Sequence, residues 1–251
     1  MVITQGAASK RGRLAGSRDV WGAILLIVGV VQAAVLRVLT ANAWQSPPYD
    51  WKLNYISDLG NTACGPFVDP GGATTYVCSP AYPLQNTGFV LSGVLLVLGI
   101  ALLWKGTSEG RFFRAANILW IVVGSTRILV GLAPENVNIT AHLAGALFQP
   151  LGNIAIILTV IGLLRRPMRS TPQVVLAIFG IVVSAAGLVG LGLSLIGQTG
   201  AAWAYLGLGP GAIERLSSYP ATIGWIALIG LVALLDASRG TTTLLKERSL
   251  A

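Results

Sequence analysis

Residues 173–197 read QVVLAIFGIVVSAAGLVGLGLSLIG, a run without a charged side chain. A helix needs about 20 mostly apolar residues to cross the hydrocarbon core of a bilayer. Five further stretches meet that length: Val20–Trp44, Leu84–Trp104, Arg114–Ala133, Ala141–Leu164 and Tyr219–Asp236. Strand-like alternation is absent, so a membrane barrel is excluded. The chain of 251 residues is 54% hydrophobic and only 10% charged, a balance that belongs to a polytopic membrane protein rather than a soluble domain. The expected fold is therefore all-α, a bundle of six transmembrane helices over 20–236. A basic tail precedes it at 1–19, a short tail follows at 237–251, and one long connection lies at 45–83.

Charge placement sets the expected orientation. Net charge is +8, and its distribution is uneven. Lys10, Arg11, Arg13 and Arg18 precede the first span, and Lys105, Arg111 and Arg114 separate the second from the third. Arg165, Arg166 and Arg169 separate the fourth from the fifth, and Arg239, Lys246 and Arg248 follow the sixth. Thirteen of the 17 basic residues thus fall on one side, which the positive-inside rule makes cytoplasmic. A plasma-membrane protein with both termini in the cytoplasm is expected, and the basic segments read as topology signals rather than as a nucleic-acid surface. Trp21, Trp44 and Trp104 sit at span ends, where indole rings anchor at headgroup level. The first span ends in Ala41-Asn42-Ala43, which has the small-x-small pattern of a signal cleavage site. It is long for a signal and contains Arg37, so it is expected to be retained.

A dense polar knot interrupts this apolar chain: NYISDLGNTACG, residues 54–65, gathers Asn54, Ser57, Asp58 and Asn61 around a glycine. It lies in the long outer connection, whose Pro47, Pro48, Pro66, Pro70, Gly71, Gly72, Pro80 and Pro83 predict an irregular but ordered loop. Loops of this length are usually functional or disordered. Both cysteines of the protein, Cys64 and Cys78, sit there. An extracytoplasmic loop is oxidising, so a disulfide is expected, contributing about 3 kcal/mol in the chain-entropy model. The other outer connections are PENVNIT, 134–140, and the Gly-rich 198–218, which leads into the sixth span through GAIERLSSYP.

Charges inside membrane helices are costly and mark functional sites by default. Arg37 and Arg127 lie at a similar depth below the outer ends of the first and third spans and need partners. Asp58, Glu135 and Glu214 are the best-placed acids, and Asp58 is expected to neutralise one of the two arginines. Helical spacing places Asn117, Trp120, Gly124, Arg127 and Gly131 on one face of the third span, and His142, Gly145, Gln149, Gly152 and Asn153 on one face of the fourth. Gly180, Ser184, Gly187 and Ser194 form a small-residue stripe that lets helices approach closely. His142 is the one histidine. It reads either as a general base near Glu135 or as a hydrogen bonder tying its helix to the preceding loop. Catalytic candidates are accordingly Asp58, His142 and Glu135. Ser57 lacks the strained turn of a hydrolase nucleophile. A single histidine excludes a multi-histidine zinc site, and the sequence implies no cofactor.

These motifs carry a resemblance. The NYISDLGN stretch, the VGLAPENVNITAHLAGA passage, the polar fourth span continuing to Gly152 and Asn153, and GAIERLSSYP together resemble the family catalogued as domain of unknown function 998, polytopic membrane proteins of bacteria and archaea. The resemblance implies a helical membrane fold without an assigned activity. The expected site is an outward-facing polar pocket built from Arg37, Asp58, Asn61, Arg127, Glu135, His142, Glu214 and Arg215. The preferred function is binding of a lipid or small polar ligand, or an accessory role in the membrane. A membrane-embedded hydrolase or transferase acting on a lipid or isoprenoid headgroup is the alternative. A small transporter ranks third, because the spans give no sign of paired broken helices. The partners expected are membrane lipids, with no nucleic acid.

Overall fold

A computed structural model describes residues 4–69, 72, 74–107, 110–165 and 171–238. Arg166, Arg169, Arg239, Lys246 and Arg248, which carry part of the charge asymmetry, lie outside the described residues, as do the side chains of Lys10, Arg11 and Arg13. The chain folds as helices α1 (Thr4–Ala43), α2 (Tyr82–Thr107), α3 (Arg111–Leu132), α4 (Ile139–Ala146), α5 (Leu151–Leu164), α6 (Thr171–Gly197), α7 (Pro210–Tyr219) and α8 (Ile226–Ser238). Six helical segments are long and apolar enough to cross a membrane, the fourth and sixth each built from two of these helices. The all-α, six-span bundle expected from the apolar runs is the observed fold.

Both composite spans break at a proline. Pro150 has no N–H to donate, and the chain between α4 and α5 closes tighter turns, Gln149 N–H to the Ala146 carbonyl and Leu151 N–H to the Phe148 carbonyl. Pro220 opens a π-helical turn, Pro220–Trp225, between α7 and α8. There the Thr222 hydroxyl donates to the Ser218 carbonyl at 2.7 Å. Two interrupted spans are thus present where the sequence reading expected none. GAIERLSSYP also differs from the expectation of loop. Gly209, at φ 89°, turns the chain, Pro210 starts the helix, and Gly211, Ile213 and Arg215 are buried.

Glycines set how closely the spans pack. A side chain at Gly93 of α2 would collide with the Gly124 carbonyl of α3, so the two backbones touch there. The α6 stripe serves the same purpose: Gly180 faces Val160, Gly187 faces Asn153 and Gly190 faces the backbone of α7 at Ser217. Away from the long connection the bundle is filled by Leu26, Leu96, Trp120, Val123, Ile156 and Trp225, among others.

The connection 45–83 forms a cap over one end of the bundle. It is more regular than its Pro and Gly content implies, holding a 3-10 turn, Ser57–Gly60, and an antiparallel hairpin of β1 (Gly65–Val68) and β2 (Thr74–Val77). Cys64 and Cys78 flank the hairpin and are joined in a disulfide, their Cα atoms 4.1 Å apart. Beneath it Trp44, Tyr49, Leu59 and Val77 make a second apolar cluster. The connections 133–138 and 198–209 lie at the same end, here called the cap side.

Candidate functional site

A cavity of about 250 Å³ opens below the cap, walled by every span. Its chemistry is layered. On α1 the lining runs Leu26, Val30, Ala33 and then Arg37 toward the cap. On the sixth span it runs Ile226, Ile223, Thr222, Tyr219, Ser218 and then Glu214 in the same direction. Apolar side chains thus form the deep part, guanidinium and hydroxyl groups the middle, and carboxyl groups the rim. Leu147, after α4, is 71% exposed and Leu195, on α6, 52% exposed, and both line the cavity. Both residues belong to spans, so the lining of the cavity reaches the lateral surface of the bundle.

Three arginines converge near this end and behave differently. Arg215 is held by the cap: Nη1 donates to the carbonyls of Trp51 at 2.9 Å, Asn54 at 3.0 Å and Gly211 at 2.6 Å, and Nη2 donates to the Tyr49 hydroxyl. Its guanidinium also stacks over the rings of Tyr49 and Trp51. Gly211 is needed for this contact, since any side chain there would strike the Asn54 carbonyl. Arg127 lines the cavity and donates from Nε to Gln149 Oε1 at 3.3 Å. Gln149 is held in turn by the Thr126 hydroxyl at 3.0 Å. Arg37 also lines the cavity, is 8% exposed, and lies 5.1 Å from the Tyr219 ring. Among the described residues its guanidinium donates no hydrogen bond, and its buried Nε has no partner.

The acids do not pair with the cavity arginines, contrary to expectation. Asp58 Oδ2 accepts from Tyr55 N–H at 2.8 Å and from Asn54 Nδ2 at 3.3 Å, so the knot is a turn closed by its own side chains. Asp58 Oδ1 and Glu135 Oε1 are both buried without a hydrogen-bond partner, and the two carboxyls act on each other. Burial pushes both carboxyls up, Glu135 well above the usual carboxylate range, and the charge of Asp58 raises it further. The bonds from Tyr55 and Asn54 pull Asp58 back. Glu214 Oε2 accepts from Ile56 N–H at 2.6 Å and fixes the knot to α7.

Further bonds dock the knot on its other sides. Ser79 donates to the Leu59 carbonyl at 2.7 Å, Asn86 to the Gly60 carbonyl at 3.0 Å, and the Thr62 and Asn136 side chains pair at 3.1 Å. Charges and amides that could have served a ligand are thus used to hold the cap.

Arg37, Arg127, Glu135, His142 and Glu214 line the cavity, whereas Asp58, Asn61 and Arg215 lie behind its wall. Asn61 is fully buried within the cap, with both side-chain polar atoms unpartnered. His142 donates from Nδ1 to the Ala133 carbonyl at 2.8 Å and so ties α4 to the end of α3. Sequence reasoning did not include Ser57, Ser217, Ser218, Tyr219 and Thr222, which line the cavity. For the last four the signal was the hydroxyl density of LSSYPAT, hidden because the boundary between loop and span was drawn through it, between Ser218 and Tyr219. Asn117, by contrast, faces a separate space of about 30 Å³ near Trp120 and Thr159.

A family model described as "Protein of unknown function (DUF998)" matches residues 26–232, and the chain belongs to that family. No curated protein and no solved structure matches it significantly.

Proposed function

We propose that this family member binds a membrane amphiphile, headgroup first, in the layered cavity below its cap. The observation that carries the reading is that Leu147 and Leu195, exposed on the lateral surface of two spans, line the same cavity as a buried guanidinium that bonds no acceptor. A small soluble ligand has no need of a cavity whose lining reaches that surface. A lipid reaches it by lateral diffusion and leaves its chains among its neighbours. The breaks at Pro150 and Pro220 fit this use, since irregular backbone inside a membrane is tolerated where it lines a cavity. Leu26, Leu96 and Ile226 form the apolar depth of the cavity and pack into the bundle core, which favours binding over passage to the other side. α1 supplies one wall, so the site requires the first span to be retained. The disulfide supports placing the cap side outside the cytoplasm, where thiols are oxidised. The ligand then belongs to the outer leaflet of the plasma membrane.

The test is occupancy. Protein extracted in mild detergent should carry lipid detectable by native mass spectrometry. Ser194→Trp, which fills the cavity beside Leu195, should abolish it, while Val182→Trp on an exposed part of α6 should not. Equal lipid occupancy in both variants would remove the cavity as the site.

A further inference from the structure

The cavity's three layers narrow the ligand further, given the amphiphile reading above. Helix rise fixes the spacing. Leu26 and Arg37 are eleven residues apart on α1, so roughly 16 Å separates the deep apolar end from the guanidinium. Glu214 is five residues closer to the cap than Tyr219, the ring beside Arg37, which places the carboxyl roughly 7 Å above the guanidinium. Arg37 and Arg127 both line the cavity, and among the described residues no carboxylate bonds either guanidinium, while the charges of Arg37 and Glu214 act on each other. Two buried cations with no acid between them are stabilised by an anion, and a guanidinium fork matches phosphate oxygens. Above them, Glu135 presents a buried Oε1 without a partner, and Glu214 lines the rim beside it. A phosphate alone would leave that rim unanswered.

We propose that the cavity takes a phospholipid whose headgroup joins a phosphate to a primary amine, the phosphate between Arg37 and Arg127 and the amine between Glu135 and Glu214. The order from bundle core to cap, apolar then cationic then acidic, is the mirror of that lipid, acyl chain then phosphate then ammonium. A phosphate–amine zwitterion meets both signs locally, while a bare phosphate leaves the rim acids facing one another.

The experiment titrates the full chain in detergent with short-chain phosphatidylethanolamine, phosphatidylmethanol, which keeps the phosphate and lacks the amine, and diacylglycerol, which lacks both. Soluble glycerophosphoethanolamine is the fourth probe. Phosphatidylethanolamine should bind at least about tenfold more tightly than phosphatidylmethanol, and diacylglycerol should bind weakest. Glu214→Gln should erase the preference for the amine and keep that for the phosphate, and Arg37→Gln should do the reverse. Comparison of the probes on the unaltered protein does not depend on either variant folding. Equal, saturable binding of all three lipids would overturn the headgroup assignment and leave amphiphile binding standing. Absence of binding by all three would overturn both. Glycerophosphoethanolamine binding as tightly as its lipid would show that the free headgroup, not the lipid, is recognised, and would overturn the proposal.

Discussion

Arg215 and Arg37 are both buried guanidiniums near the cap, separated by the thickness of one cavity wall, and they illustrate two uses of the same side chain. Arg215 spends both terminal nitrogens on the protein, on three carbonyls and a tyrosine hydroxyl, and packs against two aromatic rings. Arg37 rests on one ring and otherwise faces the cavity. Burial is therefore a poor guide to role. What separates a structural arginine from a binding one is where its hydrogen bonds go, because a desolvated cation left short of acceptors is tolerated only where something else supplies them.

The comparison breaks most easily at Arg215. Its loss would orphan backbone carbonyls on both the cap and α7, each bonded to a charged donor. Such bonds are worth about 1.5 to 3 kcal/mol apiece. Arg215→Ala should lower stability by about 3 to 5 kcal/mol in detergent, read as thermal unfolding. Arg37→Gln removes an unpaired buried charge and should cost less than about 1 kcal/mol, or stabilise the empty protein. Similar losses at the two positions would erase the distinction.

Asp58 sharpens it from the acidic side. Its carboxyl was expected to answer a cavity arginine, but it closes the knot instead. Asp58→Ala removes the acceptor for Tyr55 N–H and Asn54 and should cost about 2 to 3 kcal/mol. In Asp58→Asn, Oδ1 still accepts from Tyr55 and the amide donates to Glu135, so the cost should stay below about 1 kcal/mol. Unfolding of both variants in the same detergent decides it. A large loss in the asparagine variant would restore the ion-pair account.

The fold was legible because spanning a bilayer is a demand on composition and length, and QVVLAIFGIVVSAAGLVGLGLSLIG meets it without reference to any other part of the chain. The disulfide was legible for a similar reason, with two cysteines in one outer loop and no other candidate. The site was less so. Residues near a helix end can be assigned a depth from their spacing, and that places Arg37 and Arg127 at one level with Glu135, His142 and Glu214 nearer the outer end. It does not say which acceptors each will find. Asp58 found a backbone N–H three residues away, a local bond that a turn offers before any helix arrives. The breaks at Pro150 and Pro220 were missed because hydropathy averages over a proline, and because Pro220 was taken as the start of a span rather than a point within one.

The smallest effect concerns pH, where the cap and the cavity should again part. Asp69, buried beside the hairpin, is raised from 3.8 to about 6 by burial, with the charge of Asp58 adding to the shift and the nearby Thr75 hydroxyl opposing it. Asp58 and Glu135 are raised as well. A carboxyl whose folded value exceeds its unfolded one holds a proton that the unfolded chain has already released. Stability from such groups is therefore greatest at acid pH and falls as pH rises through the window between the two values. For Asp69 that window runs from about 4 to about 6, and the loss should be on the order of 1 kcal/mol once partial screening by solvent is allowed for. The unaltered protein should accordingly unfold at a lower temperature at pH 7 than at pH 5. Asp69→Asn should flatten the lower part of that slope, and Glu135→Gln the part above it. Arg37→Gln should leave the profile as it is, because the guanidinium bonds none of these carboxyls. A profile that flattened on losing Arg37 would mean that the cavity arginine and the cap acids titrate as one network, and the separation of the two regions would fail.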